Sequence, residues 1–238
     1  MSNEIIFFIF LFFVLVSTLV AFRFGRIYLL GLVMLEIGLM NIFVVKQFDL
    51  FGLSITGGNI LYGAVFLATD LLNEHYGKKI ARQAVWAGFA AGSFMLIASQ
   101  LTSAFTPNAF DTTSEAFPAI FSPTARIVFA SLASYLIVQH FDVWFYDFLK
   151  KRTHGKLLWL RNNLSTITSQ TIDSIFFTAA GLLVIPAFAG NQWLAGFVPM
   201  EAFRDVILFT IIMKVIIAIF DTPIVYIAKH LKKAEEIC

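Results

Sequence analysis

IIFFIFLFFVLVSTLVAF, residues 5–22, runs for eighteen residues without a charge, its only polar side chains being the hydroxyls of Ser17 and Thr18. At about 1.5 Å per residue a helix of this length reaches nearly across a hydrocarbon layer of roughly 30 Å. A secretory leader would put Lys or Arg before such a run and small residues at a cleavage site after it. Here Glu4 precedes it, and Arg23 and Arg26 follow as a stop-transfer flank. The run reads as a retained first membrane span.

Comparable segments recur outward from it. The chain is 59% hydrophobic and 13% charged, with mean hydropathy +0.82, far from the usage of a soluble domain of its length. Seven hydrophobic segments are expected, near residues 4–22, 27–45, 58–73, 80–101, 124–149, 163–189 and 203–228. Alternating ten-residue segments of barrel type are absent, so the fold class is all-α, a polytopic membrane helix bundle. Gly57 and Gly58 at the start of the third segment, and Pro186 near the end of the sixth, point to local irregularity. No linker or repeat divides the chain, which reads as a single transmembrane domain over residues 1–238.

Basic residues supply an orientation, because positively charged short loops stay in the cytoplasm. Arg23 and Arg26 follow span one, and Lys78, Lys79 and Arg82 follow span three. Lys150, Lys151, Arg152, Lys156 and Arg161 follow span five; Lys229, Lys232 and Lys233 follow span seven. Thirteen of the 17 Lys and Arg residues thus fall on one side. The alternation predicts seven spans with the N-terminus outside and the C-terminus inside. Trp144, Trp159 and Trp193 fit interfacial positions.

The same placement accounts for the net charge of +2 without a nucleic-acid partner, for which a clustered basic face would be needed. One cysteine, Cys238, excludes an internal disulfide or a cysteine metal cluster, and the four histidines show no metal spacing. No Walker lysine loop, H-E-x-x-H or G-x-S-x-G occurs, so neither an enzyme nor a cofactor is expected, and the chain has no ATP site of its own.

Polar residues inside the spans are the functional candidates, since an ionisable group at mid-bilayer costs about 3 kcal/mol on insertion scales. Glu36 and Asn41 lie in the second segment, and Asp70, Asn73 and Glu74 share one face of the third. Arg126 opens the fifth, with Gln139, His140 and Asp142 toward its other end. Thr166, Ser169, Gln170 and Asp173 share a face of the sixth, and Thr210, Lys214 and Asp221 a face of the seventh. Two readings stay open for Asp173 and Lys214, a purely structural ion pair or a hydrated binding site. Glu74, His75, Asp142 and Asp147, close to helix ends, read more readily as groups at the headgroup level.

The run FLATDLLNEHYGKKIAR, residues 66–82, resembles the signature of the queuosine precursor transporter family, the vitamin-uptake-like transporters. Asn41 upstream, ARI at 125–127, STITSQTIDSIFF at 165–177, and Lys214 followed by Thr222-Pro223 agree with it in order. The similarity extends over residues 28–231. It implies a six-helix core over residues 27–231, to which residues 1–26 add an N-terminal span, and import of 7-deazaguanine precursors of the tRNA base queuosine across the bacterial inner membrane. It also implies that the binding residues are Asn41, Asp70, Asn73, Glu74, Arg126, Gln170, Asp173 and Lys214.

Those residue types suit such a substrate. The ring N–H and exocyclic amine of a 7-deazaguanine are neighbouring donors that one carboxylate, Asp173 or Asp70, can accept together. Gln170, Asn41 or Asn73 can donate to the ring carbonyl, and Glu36 could read the ammonium of an aminomethyl form. The alternative is a substrate-binding subunit of an energy-coupling-factor type uptake system. The partners are then a small molecule and the lipid bilayer, with a homo-oligomer left open.

Overall fold

Single glycines join the first four long helices in pairs. In the computed structural model α1 (Asn3–Phe24) turns into α2 (Arg26–Phe43) at Gly25, φ 108° and ψ 178°. Likewise α3 (Gly58–Tyr76) turns into α4 (Lys78–Ser103) at Gly77, φ 87° and ψ 161°. Both conformations belong almost wholly to glycine, so one residue reverses the chain without strain. The structure describes residues 2–121, 125–182 and 200–235, without the side chains of residues 53, 54, 125, 126, 128, 182, 200–202, 205, 206 and 232–235.

Between α2 and α3, outside the seven hydrophobic segments, stands an antiparallel hairpin. β1 (Gln47–Leu50) pairs with β2 (Leu53–Thr56) in the register Leu50↔Leu53. Phe51 (φ 52°) and Gly52 (φ 76°) form the turn, with the positive φ at both positions that a two-residue hairpin of type I′ requires. A short helix α5 (Ala116–Phe121) precedes α6 (Ala125–Arg152). α6 ends where His154 and Gly155 turn left-handed, with Gly155 N–H donating to Lys150 O at 2.9 Å and His154 N–H to Lys151 O at 3.2 Å. These are the two bonds of a Schellman cap.

α7 (Leu158–Phe177) continues into a π-helical turn (Thr178–Leu182), and α8 (Met200–Glu235) closes the described chain. Each of the seven expected segments therefore contains a long helix. The sixth begins five residues before its expected start of 163, and Pro186 lies outside the described residues. Gly58 opens a regular helix, so the irregularity expected there is absent.

α3 is the axis of the bundle. It packs against α1, α2, α4, α6 and α8, and every residue from Ile60 to Asn73 is buried. Gly63 permits the approach of α8, since a Cβ there would lie 2.5 Å from Ile217 Cγ2; small residues at such contacts let backbones come close. The outward faces are apolar: Phe12 is 70% exposed, Phe94 75% and Phe129 73%. Water would not tolerate such a surface, and lipid does. Among the described residues four helical segments, Asn3–Phe24, Arg26–Phe43, Lys78–Ser103 and Ile207–Leu231, are long and apolar enough to cross a membrane.

Contacts sort the helix ends into two groups. Asn3 Nδ2 donates to Asp49 O at 2.8 Å and Phe51 N–H to Glu4 Oε1 at 3.4 Å, tying the start of α1 to the hairpin. At the opposite end Phe22 stacks on His75 at 4.8 Å, and Lys78 and Lys151 pair with Asp147 at 3.6 and 2.8 Å. That end carries the loops richest in Lys and Arg. Trp144 and Trp159 are half exposed; Trp193 lies outside the described residues.

Candidate functional site

α7 exposes a row of hydroxyl, amide and carboxyl groups, Thr166, Ser169, Gln170 and Asp173, on the face it turns inward, and all four are buried. Each helix around it answers with polar groups of its own. Asp173 is the most heavily bonded. Its Oδ1 accepts the Tyr62 hydroxyl of α3 at 2.9 Å and, in a very short contact, the Ser134 hydroxyl of α6. Its Oδ2 accepts Lys214 Nζ of α8 at 2.6 Å. The ammonium also stands 5.0 Å from the centroid of the Tyr62 ring, a favourable place for a cation. Four helices meet at this one carboxylate.

About two turns earlier on α7, Thr166 donates to Asp70 Oδ2 at 3.2 Å, and Ser169 donates to Asp142 Oδ1 at 2.9 Å. The carboxyls of Asp70 and Asp142 are thus held by hydroxyls three residues apart on one face of α7. Asp142 is completely buried, which corrects its expected place at the headgroup level: α6 runs on for ten residues past it, to Arg152. Asn73 bridges α3 to α6 by donating to Val143 O at 3.0 Å. Gln139 Oε1 lies 3.3 Å from the Thr69 hydroxyl, which donates to it.

Glu74 takes part in a different structure at the basic end of the bundle. Arg161 grips it with Nε at 3.2 Å and Nη2 at 2.7 Å, while Nη1 donates to Gly155 O and Lys156 O. Tyr146 donates to Glu74 Oε2 at 3.1 Å, and Lys150 Nζ lies 3.4 Å from the same oxygen. Arg161 has no exposed surface, so the sequence reading that put it in a cytoplasmic loop is corrected. The arrangement engages four of the five guanidinium N–H donors, and it ties α3, α6 and α7 together.

Two other expected residues lie apart from these groups. Asn41 donates to Ile37 O of its own helix at 2.7 Å and is half-buried on α2. The side chain of Arg126 lies outside the described residues. Glu36 and Asp221 are buried and close enough for their charges to interact. Gln170 differs from its neighbours on α7, for it is buried with no hydrogen-bond partner on either amide atom among the described residues. A buried amide without partners leaves a deficit that a ligand edge can fill.

The family model described as "Putative vitamin uptake transporter" matches residues 56–228. A protein of Bacillus subtilis (strain 168) named "Probable queuosine precursor transporter" is 34% identical over 197 residues, which cover 82% of this chain and 81% of that one. The chain belongs to this transporter family. It is a multi-pass, α-helical membrane protein, and no solved structure matches it. The family match contains Tyr62, Asp70, Asp142, Gln170, Asp173 and Lys214 and excludes α1, α2, Glu36 and Asn41.

An apolar groove between α1 and α2, lined by Phe12, Phe13, Val16, Leu32 and others, lies outside that match and away from the polar groups. Tyr62, Ser134 and Asp142 complete the interior beyond what the sequence reading selected. Tyr62 stands among apolar neighbours in the sequence and Ser134 within SLAS, so neither carries a local signal. Only the helix period, once Asp173 is chosen, could have pointed to hydroxyls on facing helices.

Proposed function

We propose that this protein imports 7-deazaguanine precursors of queuosine across the bacterial inner membrane, through seven spans with the N-terminus outside and the C-terminus in the cytoplasm. Kinship with the Bacillus protein supports the substrate class, and the alternation of basic loops supports the orientation. The observation that carries the binding site is the pairing of the unpartnered Gln170 amide with Asp173 three residues on. Residues three apart share a helix face.

Gln170 offers a donor and an acceptor side by side, the complement of the ring carbonyl and ring N–H of a guanine. A carboxylate has about four acceptor positions. Asp173 fills three of them, with Tyr62, Ser134 and Lys214, and the fourth is open to the exocyclic amine. Asp173 is the ion-pair partner of Lys214, and a charged acceptor makes the stronger bond. Glu74 is engaged by the Arg161 clamp, and the proposed ligand contacts are Gln170 and Asp173, with Lys214 orienting the latter.

The test is competition against labelled 7-cyano-7-deazaguanine in cells that cannot make queuosine. An analogue without the exocyclic amine forfeits a bond to a charged group, about 1.5 to 3 kcal/mol or roughly 10- to 150-fold in affinity. Exchange of cyano for aminomethyl at the 7-position has a smaller effect. Equal competition by the amine-free analogue overturns the assignment of the edge, and absence of any deazaguanine uptake overturns the function. Co-purification with an ATPase module, and uptake only in its presence, would favour the energy-coupling-factor alternative.

A further inference from the structure

Five carboxyls are buried along the interior, Glu36, Asp70, Asp142, Asp173 and Asp221, with Lys214 and Arg161 as buried cations. Lys214 pairs with Asp173 and Arg161 with Glu74. Among the described residues Asp70 and Asp142 therefore have no cation of their own. Their outer oxygens are each met by one hydroxyl of α7, Thr166 on Asp70 Oδ2 and Ser169 on Asp142 Oδ1. Among the described residues Asp70 Oδ1 and Asp142 Oδ2 receive no donor, and the two carboxyls are neighbours, on helices that Asn73 joins beside them and under hydroxyls three residues apart on α7. Two bare carboxylates cannot bond and repel each other in a medium of low dielectric. One hydrogen carried by either carboxyl closes the pair.

We propose that Asp70 and Asp142 form the proton-coupling site of this protein, a carboxyl–carboxylate pair that takes up one proton with each substrate outside and releases it inside. The proposal rests on the transport reading above. The proton comes from water on one side, is held between Asp70 Oδ1 and Asp142 Oδ2, and returns to water on the other; only an O–H bond forms and breaks.

The coupling element is α7. Thr166 and Ser169, which hold the pair, stand seven and four residues before Asp173, about 10 and 6 Å along the helix. A shift of α7 on substrate binding at Gln170 and Asp173 moves both hydroxyl donors together, and loss of those donors favours the protonated pair. The surrounding titratable groups do not replace this proton. Asp221 of α8 faces Asp70 and adds negative charge, with Glu36 of α2 behind it. Tyr146 of α6 and Glu74 of α3 lie toward the Arg161 clamp. Tyr62 of α3 and Lys214 of α8 are engaged with Asp173 of α7. The charged groups of α1 and α4, Glu4, Arg23, Lys78, Lys79 and Arg82, sit at or near the helix ends.

The test uses the full chain in proteoliposomes with labelled 7-cyano-7-deazaguanine. With an alkaline interior the wild type accumulates substrate above equilibrium, and a protonophore abolishes the excess. Asp142→Asn keeps substrate counterflow, because the asparagine amide supplies the bridging N–H permanently and exchange requires no proton release, yet it loses accumulation driven by the gradient. Should Asp142→Asn fold poorly, Thr166→Val with Ser169→Ala leaves both carboxyls in place and removes the donors that favour the charged form. The pH of half-maximal accumulation then rises by about one unit, the scale of one hydrogen bond to a charged group. Counterflow without accumulation in the wild type, a sodium gradient as the driving force, accumulation by Asp142→Asn, or an unmoved midpoint in the double variant each overturn the proposal. If no deazaguanine is exchanged at all, the transport reading fails. The shared proton is then read by a carboxylic-acid C=O band that grows in infrared spectra of the protein as the pH is lowered, a component of which Asp142→Asn removes, and its persistence in that variant overturns the pair.

Discussion

Removal of the Lys214 ammonium should destabilise this protein more than removal of the Asp173 charge, and removal of both should cost less than removal of Lys214 alone. Lys214→Met leaves a carboxylate almost without exposure, held by only the Tyr62 and Ser134 hydroxyls. Breaking a buried pair from one side costs about 3 to 5 kcal/mol, because the remaining charge is uncompensated. Asp173→Asn leaves the ammonium with an amide oxygen and with the Tyr62 ring at 5.0 Å. A desolvated contact of that kind retains about 2 kcal/mol, so the loss falls to about 1 to 3 kcal/mol. In the double variant an amide and a thioether face each other with no charge left over, and the singles do not add. For a chain of this size each kcal/mol moves the melting temperature by about 2 to 4 °C, so Lys214→Met should lower the apparent Tm by roughly 6 to 20 °C. The measurement is thermal loss of the monodisperse species in detergent, with all four proteins in the same micelle. A double variant as unstable as the sum of the singles, or Lys214→Met melting within a degree or two of wild type, would refute the reasoning.

The Arg161 clamp should tolerate no other cation: Arg161→Lys cannot form the paired bonds to Glu74 or reach the carbonyls of Gly155 and Lys156 together, and a loss of about 2 to 4 kcal/mol in the same assay is expected. Wild-type stability in Arg161→Lys would show that charge alone suffices there. Orientation is open to thiol labelling in whole cells, where native Cys238 should resist an impermeant reagent and a cysteine at Asn108, in the exposed segment before α5, should react in a Cys238→Ser background. The reverse pattern would invert the topology.

The number and type of long helices were legible because apolar runs near twenty residues have few alternatives. Span limits failed where local chemistry overrode hydropathy. α7 is expected from residue 163 onward because Arg161 reads as a loop cation; the structure buries it against Glu74, 87 residues away in sequence, and the helix begins at Leu158. The hairpin escaped notice because QFDL and LSIT are short and Phe-Gly is a poor I′ signal, Phe51 taking a positive φ that Asn or Gly would adopt more easily. Within the candidate site, the Asp173–Lys214 pairing was among the readings offered, since few opposite charges lie so deep in the spans. The Asp70–Asp142 pair was not, because like charges are not expected to seek each other and Asp142 was read as a helix-end residue. That contact depends on where α7 places Thr166 and Ser169, which no spacing within α3 or α6 encodes.

The enclosure of α3 has a consequence for biogenesis. Four helical segments are apolar enough to enter a bilayer by their own composition, and α3, with Asp70, Asn73 and Glu74 along it and every residue from Ile60 to Asn73 covered by protein, is not among them. A nascent α3 alone in lipid would expose those groups to hydrocarbon, at a cost of about 2.5 to 3.5 kcal/mol for the aspartate alone. It gains shelter only when α2 and α4 are already beside it and α6 and α7 have been synthesised to receive its polar face. The insertion machinery must therefore retain α3 in a protein-lined environment until more than half of the chain has emerged, and release into lipid is a step of folding rather than a step before it.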